Sequence, residues 1–422
     1  MQQLLIFAAV IAYNIHHLAN GLTLIHHPDF NTNLCVSNLL YNVGARDESA
    51  DKTGFAHLFE HLMFGGSVNI PSFDTPLQKA SGENNAFTSN DITNYYITLP
   101  SQNIETALWL ESDRMLRLDF SEKSLAVQQG VVIEEFKQRY LNQPYGDAWL
   151  HLRPLAYQVH PYQWATIGKE ISHVENANLT DVISFFETFY NPSNAVLCLA
   201  GNISFNSAKK LTEKWFGKIP AGKKNTNHYP IEPIRYKRND KTIDANVPQK
   251  AIYLAFNMVE RNHPLYYAFD LLSDILSRSE SSYFINILIK EKLLFTQLEA
   301  YVSGDIDAGL FIIEGKLADD VSFETAENEI IKVIKELTIT GLGEKDLIKV
   351  KNKSLTSNLF SKTSVLNKAM SLCYAFRLGD VELVNKETYY IKHISENDVI
   401  TICKEYLLKG NHSVLKYNPT NE

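Results

Sequence analysis

The chain has 422 residues, of which 45% are hydrophobic and 21% charged, and its formal net charge is −8. This length exceeds one ordinary core, so two domains of about 200 residues each are expected. No lysine- or arginine-rich block points to a nucleic-acid partner, and no apolar run approaches the ~20 residues that an integral membrane segment needs.

The first twelve residues are ambiguous between an export signal and the start of the fold. Residues 4–12 are apolar and end in V-I-A, which resembles a signal-peptidase site, but the segment is short and has no basic side chain. The four cysteines are scattered without paired spacing, which predicts free buried thiols in a reducing compartment. We therefore expect a cytoplasmic protein, with a periplasmic or exported protein as the alternative.

Strand patterns precede and follow the most informative stretch of the chain. Residues 13–25 predict two strands around a turn at Asn20-Gly21, and residues 35–44 predict a further strand. Residues 93–99 predict another.

Residues 53–66 read T-G-F-A-H-L-F-E-H-L-M-F-G-G and predict a helix, because apolar side chains recur at i, i+3, i+4, i+7 and i+8. Thr53 is the expected N-cap, and the glycine pair is the expected end. His57, Glu60 and His61 then project together from the opposite side of the helix. Two histidines at i, i+4 can bind one zinc ion, and a carboxylate beside them can act as a general base.

The alternative for this helix is a solvated face with a His-Glu pair, so a third zinc ligand is needed. Residues 128–140, Q-Q-G-V-V-I-E-E-F-K-Q-R-Y, predict a helix after Gly130 that carries two adjacent acids. Glu134 and Glu135 point about 100° apart, so only one of them can face the site.

The inverted H-x-x-E-H motif followed by this V-V-x-E-E helix resembles the pitrilysin/insulinase family of zinc metallopeptidases, the inverzincins. The resemblance is to the short two-domain members, which are similar to mitochondrial processing peptidase subunits. It implies that Glu135, 74 positions after His61, is the third ligand of one Zn²⁺ per chain. It also implies that Glu60 activates the water that attacks the scissile carbonyl. Gln128 stands where the family often has an acid that supports the ligands.

The same resemblance implies how a substrate binds. In the family a segment N-A-x-T-S is an edge strand to which the substrate peptide adds as a further strand. Asn85 and Ala86 match its first positions, with Phe87 beside them; an ordinary polar-edged hairpin is the alternative.

The resemblance implies an α+β fold of two structurally related α/β-sandwich halves, LuxS/metallohydrolase-like, that face each other as a clamshell around an enclosed chamber. We expect a zinc-binding catalytic domain over residues 1–216, a linker over 217–245 rich in Pro, Gly and Lys, and a degenerate repeat without metal ligands over 246–422. A strand at 251–257 and a helix at 266–276 would repeat the order of the first half.

The second half departs from the family at two positions. Family members usually carry an Arg and, seven residues on, a Tyr that reach the substrate carbonyl, whereas this chain has Lys290 and Gln297. The departure suggests a homodimer, or a heterodimer with a related subunit that carries the Arg/Tyr pair.

The sequence therefore predicts a zinc metalloendopeptidase that hydrolyses peptides or unfolded segments. The competing class is a non-catalytic peptide-binding or assembly subunit of a processing complex. A structural zinc protein would need a fourth Cys or His ligand, and no such residue has suitable spacing.

Overall fold

The computed structural model describes residues 10–233 and 235–420. By internal contacts the chain divides into two compact units, which are discontinuous in sequence. The first unit contains residues 1–136, 164–228 and 358–386, and the second contains 137–163, 229–357 and 387–422. The sequence predicts a single division of the chain, at the linker. The export-signal alternative depends on residues 1–12, of which 1–9 lie outside the described residues.

The strands and helices have the following bounds. The strands are β1 (Asn14–His17), β2 (Thr23–Pro28), β3 (Leu34–Tyr41), β4 (Glu83–Thr88), β5 (Thr93–Pro100), β6 (Ala195–Gly201), β7 (Asn239–Ala245), β8 (Ala251–Asn257), β9 (Phe295–Val302), β10 (Leu310–Leu317) and β11 (Ser413–Pro419). The helices are α1 (Phe55–Leu62), α2 (Asp74–Lys79), α3 (Ile104–Leu116), α4 (Glu122–Phe136), α5 (Ala148–Ala156), α6 (Ile171–Glu175), α7 (Leu179–Phe189), α8 (Phe205–Phe216), α9 (Tyr266–Ser277), α10 (Phe323–Thr340), α11 (Glu344–Ser361), α12 (Val365–Arg377), α13 (Leu383–His393) and α14 (Glu396–Ile402). Short π-helical segments cover Lys137–Leu141, Phe284–Glu291 and Cys403–Leu407.

The first unit is built on a six-stranded mixed sheet in the order β1-β2-β6-β3-β5-β4. Strands β2 and β6 are parallel, and the other neighbours are antiparallel. Residues alternate between its two faces. Ile25 lies in an apolar cluster with α12 residues, whereas the ring of the next residue, His26, packs on Phe205 of α8. The sheet is therefore covered by helices on both faces, and β4 forms one edge.

The second unit is built on a five-stranded mixed sheet in the order β7-β11-β8-β10-β9. Strands β7 and β11 are parallel, and the other neighbours are antiparallel. Its main apolar core joins α9, α10 and α14 to one face of the sheet, and α5 covers the other face.

The two sheets repeat one topology. In each sheet a parallel pair is followed by three antiparallel neighbours, so that β2-β6-β3-β5-β4 corresponds to β7-β11-β8-β10-β9. Helix α9 follows β8 just as α1 follows β3. The fold is thus α+β with two structurally related halves, as the sequence predicted. The part of the chain that the structure describes contains one group of three metal-binding side chains, and it lies in the first unit.

Two sequence predictions about local structure need correction or limits. The predicted linker is wrong at its C-terminal end, because residues 239–245 form β7. This strand is charged and mostly exposed, so it has no apolar alternation by which to recognise it. All four cysteines are buried and free, as predicted, while the cytoplasmic location stays a prediction. Within the described ranges, no helix has the length and apolarity to cross a membrane.

Candidate metal centre

Helix α1 presents its polar side because its apolar side is fixed in an aromatic core. The ring of Phe59 stacks on Phe185 at 4.9 Å and on Tyr190 at 5.1 Å between centroids. The other buried residues of this helix are Phe55, Ala56, Leu58 and Leu62. Burial of one such side chain stabilises the fold by roughly 1.5–3 kcal/mol, so this packing sets the rotation of the helix. His57, Glu60 and His61 consequently remain on the half-buried side.

The N-terminus of α1 differs from the prediction that Thr53 is its N-cap. The N-cap residue is Gly54, with φ +90°, and it has no side chain to accept a hydrogen bond. The hydroxyl of Thr53 instead accepts the N–H of Lys169 and lies 2.8 Å from Nδ1 of His173. The helix ends at Leu62, earlier than the predicted glycine pair.

Helix α4 carries the predicted third ligand. The prediction that it starts after Gly130 is wrong, because the helix begins at Glu122 and continues through that glycine. The glycine is exposed, and a side chain at position 130 would meet no atom within 4 Å. Compared with alanine it lowers the stability of the helix by about 1 kcal/mol, which the helix tolerates. The amide of Gln129 donates to the carbonyl oxygens of Val174 and Ala177, at 2.8 and 2.9 Å, which ties α4 to the end of α6.

His57, His61 and Glu135 converge on one point. Each offers a ligand atom such that all three atoms lie within 4.8 Å of one another. Oε2 of Glu135 is 3.7 Å from Nε2 of His57 and 3.4 Å from Nε2 of His61. In a tetrahedral zinc site, with bonds of about 2.0–2.2 Å, ligand atoms are about 3.3–3.6 Å apart. The donor set therefore fits zinc in both its chemistry and its spacing.

The coordination that these residues could provide is incomplete, as in catalytic zinc sites. Among the described residues no fourth His, Cys, Asp or Glu joins the group. Two imidazoles and one carboxylate leave a fourth position for water or substrate. Of the two candidate acids the group contains Glu135, whereas Glu134, adjacent in sequence, is exposed and outside it.

Glu60 lies beside the group and is held by the neighbouring strand. The hydroxyl of Thr88, on β4, donates to Oε2 of Glu60 at 2.6 Å. Burial raises the pKa of Glu60 above its ordinary value of 4.5, while the Thr88 hydrogen bond and the charge of His61 act to lower it. The carboxylate is thus oriented and partly desolvated next to the candidate ligands.

The predicted substrate-binding strand is an edge strand. Strand β4 pairs only with β5 among the described strands, with Asn85 opposite Tyr96 and Ala86 opposite Tyr95. Asn85 and Phe87 are exposed, and Ala86 is half-buried. Its other edge is therefore open to a further strand, although binding of a substrate there stays a prediction.

Gln128 lies two helical turns before Glu135 on the same face of α4, and it is half-buried. Among the described residues no hydrogen bond joins it to the three candidate ligands. Its role in supporting the ligands stays a prediction.

Lys290 and Gln297 lie in the second unit, and both are engaged locally. Lys290 is on the π-helical segment, where its ammonium is 2.7 Å from Oε2 of Glu280. Gln297 is on β9, the strand that corresponds to β4, and its amide donates to Glu299 at 2.9 Å. Neither contact tests a role in substrate binding, so that role also stays a prediction.

Glu48 is a site residue that the sequence analysis missed. Its buried carboxylate accepts the backbone N–H groups of Gly54 and Ala56, at 2.9 and 2.8 Å. It thereby supplies the acceptors that the glycine N-cap lacks. An acid shortly before a helix without a capping side chain was the only signal for it in the sequence.

The chain matches known proteins over most of its length. Residues 25–166 match the family model described as insulinase (peptidase family M16), and residues 176–354 match that of the peptidase M16 inactive domain. The zinc protease PqqE of Helicobacter pylori is 29% identical over 362 residues, which cover 82% of this chain and 80% of the relative. The probable mitochondrial-processing peptidase subunit beta of Schizosaccharomyces pombe is 26% identical over 259 residues, which cover 59% of this chain and 55% of the relative.

The crystal structure of a protease from Helicobacter pylori has the same fold, with a TM-score of 0.90 at 24% identity. The superposition covers 97% of this chain and 100% of that one. With matches to the models of both domains, the chain belongs to the insulinase family of zinc metallopeptidases, peptidase family M16.

Proposed function

We propose that this chain is a zinc-dependent endopeptidase in which His57, His61 and Glu135 hold the metal ion. The observation that carries the proposal is the convergence of their three ligand atoms within 4.8 Å. Relatives named zinc proteases support the same activity.

Glu60 would be the general base. Zinc, when bound, supplies a Lewis acid that polarises the peptide carbonyl and lowers the pKa of water. Glu60 is positioned by Thr88 to accept the proton of the attacking water and to return it to the leaving amine. A bound metal ion would place positive charge near this carboxylate, which favours its ionised form.

The substrates would be extended peptides or unfolded segments. Strand β4 pairs only with β5 among the described strands, so a peptide can add to its other edge as a further strand whatever its sequence. Asn85, Ala86 and Phe87 would contact its side chains. A globular protein cannot present such a strand without unfolding, which restricts the substrates; that cleavage takes place in an enclosed chamber stays a prediction.

We also infer that the active form is a dimer, either of this chain or with a related subunit that carries the Arg/Tyr pair. The ammonium of Lys290 forms an exposed ion pair with Glu280 and lacks the planar fork of an arginine. Gln297 cannot supply a phenolic donor. A second subunit with both groups would complete the contacts to the substrate carbonyl.

The test is hydrolysis of a mixed peptide pool, followed by mass spectrometry, together with the zinc content of each purified variant. Glu60→Gln should retain zinc and lose cleavage, because it removes only the base. Glu135→Gln should lose zinc and cleavage, whereas the adjacent Glu134→Gln should retain both. Equal cleavage by wild type and Glu60→Gln would refute the mechanism. Zinc binding without cleavage by wild type would favour the non-catalytic subunit or the need for a partner.

A further inference from the structure

The short helix that carries the two histidines begins without a capping side chain. Its first N–H groups need acceptors, because the first four amides of a helix have no partner within it. The N-cap is a glycine, and the hydroxyl of Thr53, which could have capped the helix, is used by Lys169 and His173. With only eight residues, α1 has little other backbone bonding to hold its first turn.

Glu48, which lies outside the helix, supplies these acceptors. One carboxylate oxygen accepts the N–H of Gly54 and the other accepts that of Ala56. The residue is only 7% exposed, so water cannot easily replace it. A carboxylate at this end of a helix also interacts favourably with the helix dipole. Burial raises the pKa of Glu48, and the two N–H groups act against that rise.

We propose that Glu48 is a positioning residue for the metal centre. By holding the amides of Gly54 and Ala56 it fixes the turn that contains His57, and with it the direction in which this ligand projects toward His61 and Glu135. The part that concerns the metal rests on the proposed function. Without Glu48 the first turn frays, and His57 must be ordered again whenever a metal ion binds.

Removal of Glu48 should therefore weaken metal binding by more than its effect on the stability of the whole fold would explain. Removal of a group that orients a metal ligand typically lowers metal affinity 10- to 100-fold. We expect a loss in this range for Glu48→Ala. Glu48→Gln keeps one acceptor oxygen and should restore part of the affinity.

The matched control is Asp47→Ala. Asp47 is the adjacent acid and also caps a turn: one carboxylate oxygen accepts the N–H of Gly44 at 2.9 Å, and the other accepts the side-chain amide of Asn225. The experiment measures zinc dissociation constants by competition with a chromophoric chelator, at a temperature at which all variants are folded by circular dichroism. Amide hydrogen exchange of residues 54–58 is followed in the metal-free proteins. Asp47→Ala should leave both readouts of α1 at wild-type values.

The result expected is a 10- to 100-fold weaker zinc affinity and faster exchange at Gly54 and Ala56 in Glu48→Ala alone. Wild-type affinity and exchange in Glu48→Ala, or equal losses in both variants, would overturn the proposal. Zinc binding that is the same in wild type and His57→Ala would instead refute the metal centre. The exchange of the metal-free proteins would then still decide whether Glu48 holds the helix.

Discussion

A single added methyl group at two different glycines should change the stability of the first unit in opposite directions. Gly54 has φ +90°, and a Cβ built there would lie 2.7 Å from the carbonyl oxygen of Ile167 and 2.9 Å from Cγ2 of Val174. The left-handed backbone costs a residue with a Cβ about 1–2 kcal/mol, and overpacking costs about 1–3 kcal/mol. We therefore expect Gly54→Ala to lower the free energy of unfolding by about 2–5 kcal/mol.

Gly130 is the matched control, because it is helical and a Cβ there would meet nothing within 4 Å. Gly130→Ala should raise the free energy of unfolding by about 1 kcal/mol, since alanine has the better helix propensity. Urea unfolding followed by tryptophan fluorescence measures both changes. Three of the four tryptophans, at positions 109, 164 and 215, lie in the first unit and report on it.

Unfolding of Gly54→Ala at the same urea concentration as wild type, or a lower stability of Gly130→Ala than of Gly54→Ala, would contradict these expectations. A further readout is the affinity for zinc. Gly54→Ala should weaken it, because Gly54 begins the turn that carries His57, whereas Gly130→Ala should leave it unchanged.

Three further predictions concern metal removal, pH and thiols. A chelator should lower the thermal midpoint of the first unit, and zinc at 100 times its dissociation constant should restore about 2.7 kcal/mol; an unchanged midpoint would count against a metal centre. The ammonium of Lys368 holds the pKa of Asp29 below its ordinary value of 3.8. The pair therefore stabilises the fold at pH values above 3.8, and this contribution is lost as the pH falls through the lower pKa of the native state. Free energies of unfolding of wild type and Asp29→Asn should therefore converge in acid, while Asp380→Asn, at an exposed pair, should differ little from wild type at any pH. Burial raises the pKa of Cys35 to about 11 and of Cys403 to about 12, so the native protein should not react with a disulfide reagent within minutes, whereas the unfolded chain should titrate four thiols.

The candidate ligands could be predicted from the sequence because helical periodicity decides which side chains share a face. The apolar residues of α1 left His57 and His61 on one side, and the family spacing selected Glu135. Strands were predicted well where they are buried and rich in β-branched residues. The predicted strand at 251–257 coincides with β8.

What could not be predicted depends on contacts between residues that are distant in sequence. Glu48 acts across a loop, and nothing in its local pattern shows that its carboxylate turns back toward Gly54. Thr53 was the better N-cap by propensity, but hydrogen bonds to Lys169 and His173 take its hydroxyl away from the helix. The assignment of α12 to the first unit, although it follows four of the five strands of the second sheet, likewise comes from packing in the core and leaves no trace in local periodicity.

The last prediction tests whether Lys290 and Gln297 limit activity. In the resembled family an Arg and a Tyr at these positions contact the substrate carbonyl, and one donor to a developing oxyanion is typically worth 10²- to 10³-fold in kcat. If a second subunit is needed because this chain lacks the Arg and the Tyr, the double variant Lys290→Arg with Gln297→Tyr should raise kcat of the chain alone by a factor that approaches about 10²- to 10³-fold.

The control is Lys292→Arg with Glu324→Tyr, which introduces the same side chains at other exposed positions of the second unit and should leave kcat unchanged. Steady-state hydrolysis of a peptide found in the pool experiment gives kcat and KM for each protein, alone and after mixing with any related subunit from the same cell. An increase in the first variant that is no larger than in the control would mean that Lys290 suffices, or that these positions do not reach the substrate. Either result would remove the reason to expect a partner with the Arg/Tyr pair. It would leave the proposed metal centre and the proposed role of Glu60 unaffected, because both depend only on residues of the first unit.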